Sequence, residues 1–194
     1  MSRFCPRPSD GSRTRDALSS PAVAIALLTA TLLALFGFLA TSIQGFLVSA
    51  HLPETAGMAA RLLVRHHVGW AIPTVLFSLF SQSMVIFYFI GTGKLVKEEI
   101  APYPEPQRRA ILSALRRFKA KTSPAATFSL LSAIAVFVLG GAVHTSALPK
   151  WTHFSSAILA AVVHAWALLA EWRIFGENHR LMADPRAFAK RAAP

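Results

Sequence analysis

The sequence predicts an all-α protein, an integral membrane bundle of four transmembrane helices with a cytoplasmic amphipathic helix between the second and third. Three observations predict it. The chain is 54% hydrophobic and only 15% charged over 194 residues, against roughly 25% charged in soluble domains, and its mean hydropathy is +0.47. The apolar residues fall into four long blocks, about 22–49, 68–92, 125–147 and 154–172, that contain no Asp, Lys or Arg. Each block suits a bilayer, because about 20 helical residues at ~1.5 Å apiece cross its ~30 Å hydrocarbon layer.

The elements follow in order. Residues 1–20 are rich in Ser and Arg and are read as a disordered cytoplasmic tail. The first block follows Arg3, Arg7, Arg13 and Arg15 as a secretory signal would, but it is too long for a signal core and is expected to stay as an anchor. The connection to the second block, HLPETAGMAARLLVRHH, has room for a short helix from about Thr55 to Arg65. Between the second and third blocks, a Pro-rich segment precedes Ile111, Leu112, Leu115 and Phe118 at helical spacing, with arginines and lysines around them. That pattern predicts a helix lying on the inner leaflet. The short TSALPKWT makes the last two blocks an antiparallel hairpin, completing a transmembrane domain over 21–175, and 176–194 forms a basic cytoplasmic tail.

Charge sets the expected orientation. Seventeen Lys and Arg lie on the side of the termini and the middle connection, and three (Arg61, Arg65 and Lys150) on the other. This asymmetry predicts a multi-pass protein of the cell inner membrane with both termini cytoplasmic. The net charge of +11 is then expected to face anionic inner-leaflet lipid, with other membrane subunits as partners and no role for nucleic acid. Trp70, Trp151 and Trp172 fall at block ends, where amphipathic rings sit at the interface. Cys5 is the single cysteine, so thiol–disulfide chemistry within the chain is excluded.

Histidines carry the functional expectation. His51, His66, His67, His144 and His153 all fall at the outer ends of the blocks, roughly 13–22 Å from the midplane. Convergent imidazoles on facing helices hold haem iron or a transition metal in membrane bundles. The metal candidates are these five, and the cofactor candidates are His67, His144, His153 and His164; His67 and His144 lead, with Gly140 and Gly141 leaving room for a macrocycle. His66 points about 100° away from His67, so one metal is not expected to take both. The alternative is that the histidines are only interfacial.

His164 lies near the middle of the fourth block, where an ionisable group is a functional candidate by default. His153, His164 and Glu171 share one helix face, a stripe readable as a ligand track or a proton path. The alternative pairs His164 with Gln82 of the second block and sends Glu171 to the cytoplasmic head groups. Ala157, Ala161 and Ala165 offer a small-residue seam. GTGK at 91–94 fails the phosphate-loop spacing. No catalytic residue is singled out, and no acid is expected at mid-membrane.

Two functions are therefore expected as alternatives. One is a small inner-membrane subunit of an electron-transfer system, binding b-type haem or a metal through histidines at the outer end. The other is a cofactor-free structural or assembly subunit of a larger membrane complex.

Overall fold

The computed structural model describes residues 20–51 and 57–192. Within them the chain is helical almost throughout: α1 (Pro21–His51), α2 (Met58–Glu99), α3 (Glu105–His144), α4 (Lys150–Ala183) and a short α5 (Pro185–Ala192). The first four are long and apolar enough to cross a membrane. Of the tail at 1–20, only Ser20 lies among the described residues.

The helices outrun the apolar blocks that predict them. At about 1.5 Å per residue, the 42 residues of α2 span about 63 Å, twice a bilayer's hydrocarbon thickness. The helical stretch expected near Thr55–Arg65 is, from Met58 on, the start of α2 rather than a separate element. Pro73 and Pro124 sit inside α2 and α3 without ending either helix.

The separate amphipathic helix on the leaflet is corrected. Residues 105–121 are the first turns of α3, continuous with its apolar part. Their apolar face is covered by protein: Ile111, Ala114 and Phe118 pack with Val96 of α2 and Ile100 just beyond it, Ile174, Leu181 and Met182 of α4, and Ala189 of α5. Leu112 and Leu115 are half-buried at the rim of that cluster. Residues 176–192 are likewise helical, and α5 starts with Asp184 accepting from the Ala187 amide at 2.9 Å and Pro185 in the first helical position. Arg117 reaches Glu177 at 2.9 Å, tying α3 to α4.

The long helices form an antiparallel bundle in which each packs against its chain neighbours and α1 closes against α4. α2 and α4 thus lie on one diagonal, α1 and α3 on the other. One end holds the α1–α2 and α3–α4 connections and the clustered histidines; the other holds most of the Lys and Arg. We call them the histidine end and the basic end.

The radial distribution of polarity is the reverse of a soluble protein's. Phe36, Leu76, Phe80, Phe87, Leu159 and Leu169 are each at least 60% exposed, whereas Thr31, Ser78, Gln82, His164, Glu171 and Asn178 are all fully buried. Small residues on one diagonal make this possible. Ala34 on α1 and Ala125, Ala126 and Ala133 on α3 are fully buried, so the longer polar side chains of α2 and α4 can meet at the centre. The seam on α4 runs through Ala157, Ala160 and Ala167 rather than Ala161 and Ala165, which are only half-buried.

Candidate functional site

Residues from α2 and α4 form a polar column along the bundle axis. At the histidine end, the rings of His67 and His153 stand edge to face with centroids 6.4 Å apart and planes at 72°. Each imidazole lies on a glycine of an adjacent helix. A Cβ added at Gly45 on α1 would come within 2.8 Å of His67 Cε1, and one at Gly140 on α3 within 2.9 Å of His153 Cε1. Any larger residue at either position collides with the ring. Nδ1 of both histidines is buried with no hydrogen-bond partner, although the Val136 carbonyl also approaches the His153 ring.

Of the predicted ligands, the structure therefore pairs His67 with His153, not with His144. His144 is exposed and lines a shallow groove with Val64, Arg65 and Val68. The space at Gly140 is filled by the His153 ring rather than left for a macrocycle, and Gly141 has nothing within 4 Å of an added Cβ. His66 turns outward, as its offset from His67 predicts. The Trp70 indole donates to its Nε2 at 3.2 Å, and Gln44 Nε2 lies 2.8 Å from its Nδ1. The side chain of His51 lies outside the described residues. Among the described residues, no three His, Cys, Asp or Glu gather as a metal-binding group.

Three helical turns deeper, eleven residues on along both helices, Ser78 and His164 meet at 2.6 Å. His164 Nδ1 lies 2.8 Å from the Ala160 carbonyl. That oxygen can only accept, so Nδ1 carries the proton and Nε2 accepts from the Ser78 hydroxyl. Phe38 stacks on the ring with centroids 4.8 Å apart. His164 thus has both nitrogens engaged, and its partner is Ser78 rather than the expected Gln82.

Two further turns along α4, Glu171 is fully buried. This corrects the alternative in which Glu171 reaches the cytoplasmic head groups. Thr31 of α1 and Gln82 of α2 approach its carboxyl group. Neither makes a hydrogen bond of proper geometry with it, and both carboxyl oxygens and both ends of the Gln82 amide are left without partners. The Thr31 hydroxyl donates instead to the Leu27 carbonyl at 3.1 Å. Seven residues further, Asn178 donates towards the Tyr88 hydroxyl and Thr92 Oγ1, both at 3.3 Å.

Sequence spacing places His153, His164 and Glu171 on one face, and the structure extends the stripe to Asn178. Gly45 and Ser78 were not among the predicted site residues. A signal for Ser78 existed: His67–Ser78 and His153–His164 share the same eleven-residue spacing.

No family model matches the chain, and neither a curated protein nor a solved structure matches it.

Proposed function

We propose that this protein is an electron-transfer subunit of the cell inner membrane that holds a b-type haem between His67 and His153. Its basic end and both termini lie on the cytoplasmic side against anionic lipid, and other membrane subunits are its partners. The observation that carries the reading is the facing pair of imidazoles from diagonal helices, each with a buried, unpartnered Nδ1.

The rings stand edge to face with centroids 6.4 Å apart, so holding one iron jointly would require both to turn until a nitrogen of each faces it, and to part enough to admit the macrocycle. Ligand count then favours haem over a bare transition metal. A haem brings its own four nitrogens and would need only two side chains to hold it, the number of imidazoles that meet here, whereas protein sites for a bare metal commonly use three or four. When bound, a haem supplies a one-electron couple. The chain's own contribution is to fix both rings, which Gly45 and Gly140 let pack directly on helix backbone.

The competing reading, a cofactor-free assembly subunit, draws on the Ser78–His164–Ala160 lock, which joins α2 to α4 without any cofactor. An absorption spectrum and iron analysis of the detergent-purified full chain separate the two. A Soret band with about one iron per chain supports the haem reading. A colourless, iron-free protein that stays colourless when haem is supplied during expression and purification leaves the scaffold reading.

A further inference from the structure

Glu171 is used by neither reading above, and its surroundings ask for an explanation. A carboxylate with no hydrogen bond and no counter-ion, fully enclosed in a bundle, is among the most unfavourable arrangements a helix can carry. Two groups approach its carboxyl: Thr31 from α1 and Gln82 from α2. On α3, Thr122 is buried with its hydroxyl donating to the Phe118 carbonyl at 2.9 Å. On α4 itself, the adjoining buried polar groups are His164 and Asn178, each seven residues away. The neighbouring cations Arg173 and Lys121 are exposed. Among the described residues no ion pair includes Glu171.

We propose that Glu171, Thr31 and Gln82 form a proton-binding site inside the bundle, in which Glu171 is carried as the neutral acid and exchanges its proton with the basic end past Asn178 and Tyr88. The unpartnered polar atoms are the deciding observation: both Glu171 carboxyl oxygens and both ends of the Gln82 amide are buried without a hydrogen bond. With its hydroxyl on the Leu27 carbonyl, Thr31 keeps lone pairs with which to accept from an acid. Lone pairs facing a bare carboxylate repel; facing an acid, they accept its O–H. Gln82 supplies the complement, an N–H donor for the remaining carboxyl oxygen. One added proton thus satisfies Glu171 and engages Thr31 and Gln82, all three fully buried. Asn178, with its Oδ1 unpartnered beside Tyr88 and Thr92, marks the polar continuation towards the basic end. The site stands whether or not the histidine pair holds a cofactor.

Infrared difference spectroscopy on the full chain in lipid vesicles, titrated with pH and repeated in D2O, tests this. The expected result is a carboxylic-acid C=O band that shifts down in D2O, persists to higher pH than an exposed carboxyl allows, and is absent in Glu171→Gln. Thr31→Val, which removes the acceptor without adding charge, is expected to keep the band and move its frequency. It also serves as the reporter if Glu171→Gln fails to fold. A band unaffected by both substitutions overturns the proposal. So does a Glu171 carboxylate that never protonates and responds instead to sodium or potassium, which would make the site one for a cation.

Discussion

His67 and His153 come from helices that do not pack side by side, yet their rings meet across the bundle axis at 6.4 Å. The contact exists because the other diagonal yields: Gly45 and Gly140 have no side chain where the two rings lie. Each glycine serves a close approach, and each can be tested separately from the histidine it accommodates.

Gly45→Ala and Gly140→Ala are expected to destabilise the bundle by about 1–3 kcal/mol each, the usual cost of forcing atoms into a packed site. The new Cβ would meet ring carbon at 2.8 and 2.9 Å. Gly69→Ala and Gly141→Ala, where an added Cβ meets nothing within 4 Å, are expected to be neutral or slightly stabilising because alanine favours helix. Thermal unfolding in detergent, run on all four, checks the contrast. Equal effects across the set would show that the rings do not depend on these glycines.

Ser78→Ala leaves His164 Nε2 buried without its donor. An unsatisfied buried polar group costs about 1–3 kcal/mol, so a loss of that size is expected, while Ser83→Ala, at a half-buried position of α2, should change little. Chemical unfolding midpoints compare the two. A Ser78→Ala variant as stable as the parent would remove the lock from the account.

Phe118→Ala distinguishes a folded extension from a leaflet-bound segment. The side chain is 1% exposed within the cluster joining α2, α3, α4 and α5. Its truncation is expected to cost about 3–5 kcal/mol and to raise amide exchange at residues 174–189 as well as in α3. If exchange changes only near residue 118, the basic segment is not packed as described.

Glu105 opens α3 and is held below the usual carboxylate range, chiefly by its hydrogen bond with Arg109 and next by that with Arg108. A folded-state value below the unfolded one contributes stability above the ordinary carboxylate range and loses it as pH falls through the lowered value. Fraying of the first turn of α3 should therefore increase on acidification below that range. Amide exchange at residues 107–110 in the parent and in Glu105→Gln measures it. The variant should already be frayed and show no such pH dependence.

The number of long helices was legible because runs free of Asp, Lys and Arg have few other physical explanations. Their lengths were not. Residues 105–121 and 173–183 are helical through packing against one another, which hydropathy does not register. Periodicity at Ile111 and Phe118 reveals an apolar face but not what covers it, so lipid was expected where α4 and α5 lie. Depth placed His67, His144 and His153 at one end of the bundle. Azimuth did not follow from depth: α4 turns His153 onto Gly140, while His144, on the last turn of α3, points out. The alternative that sent Glu171 to the head groups failed for a related reason. The fourth apolar block stops at Trp172, yet α4 stays buried on one face as far as Met182.

The pairing of His67 with His153 is tested most directly by optical spectra of the haem-supplemented full chain and three variants, His67→Ala, His153→Ala and His144→Ala. The account expects a Soret band in the parent, its loss or collapse to a five-coordinate form in the first two variants, and its full retention in His144→Ala. A band that survives both axial substitutions, or one that disappears with His144 alone, would contradict it.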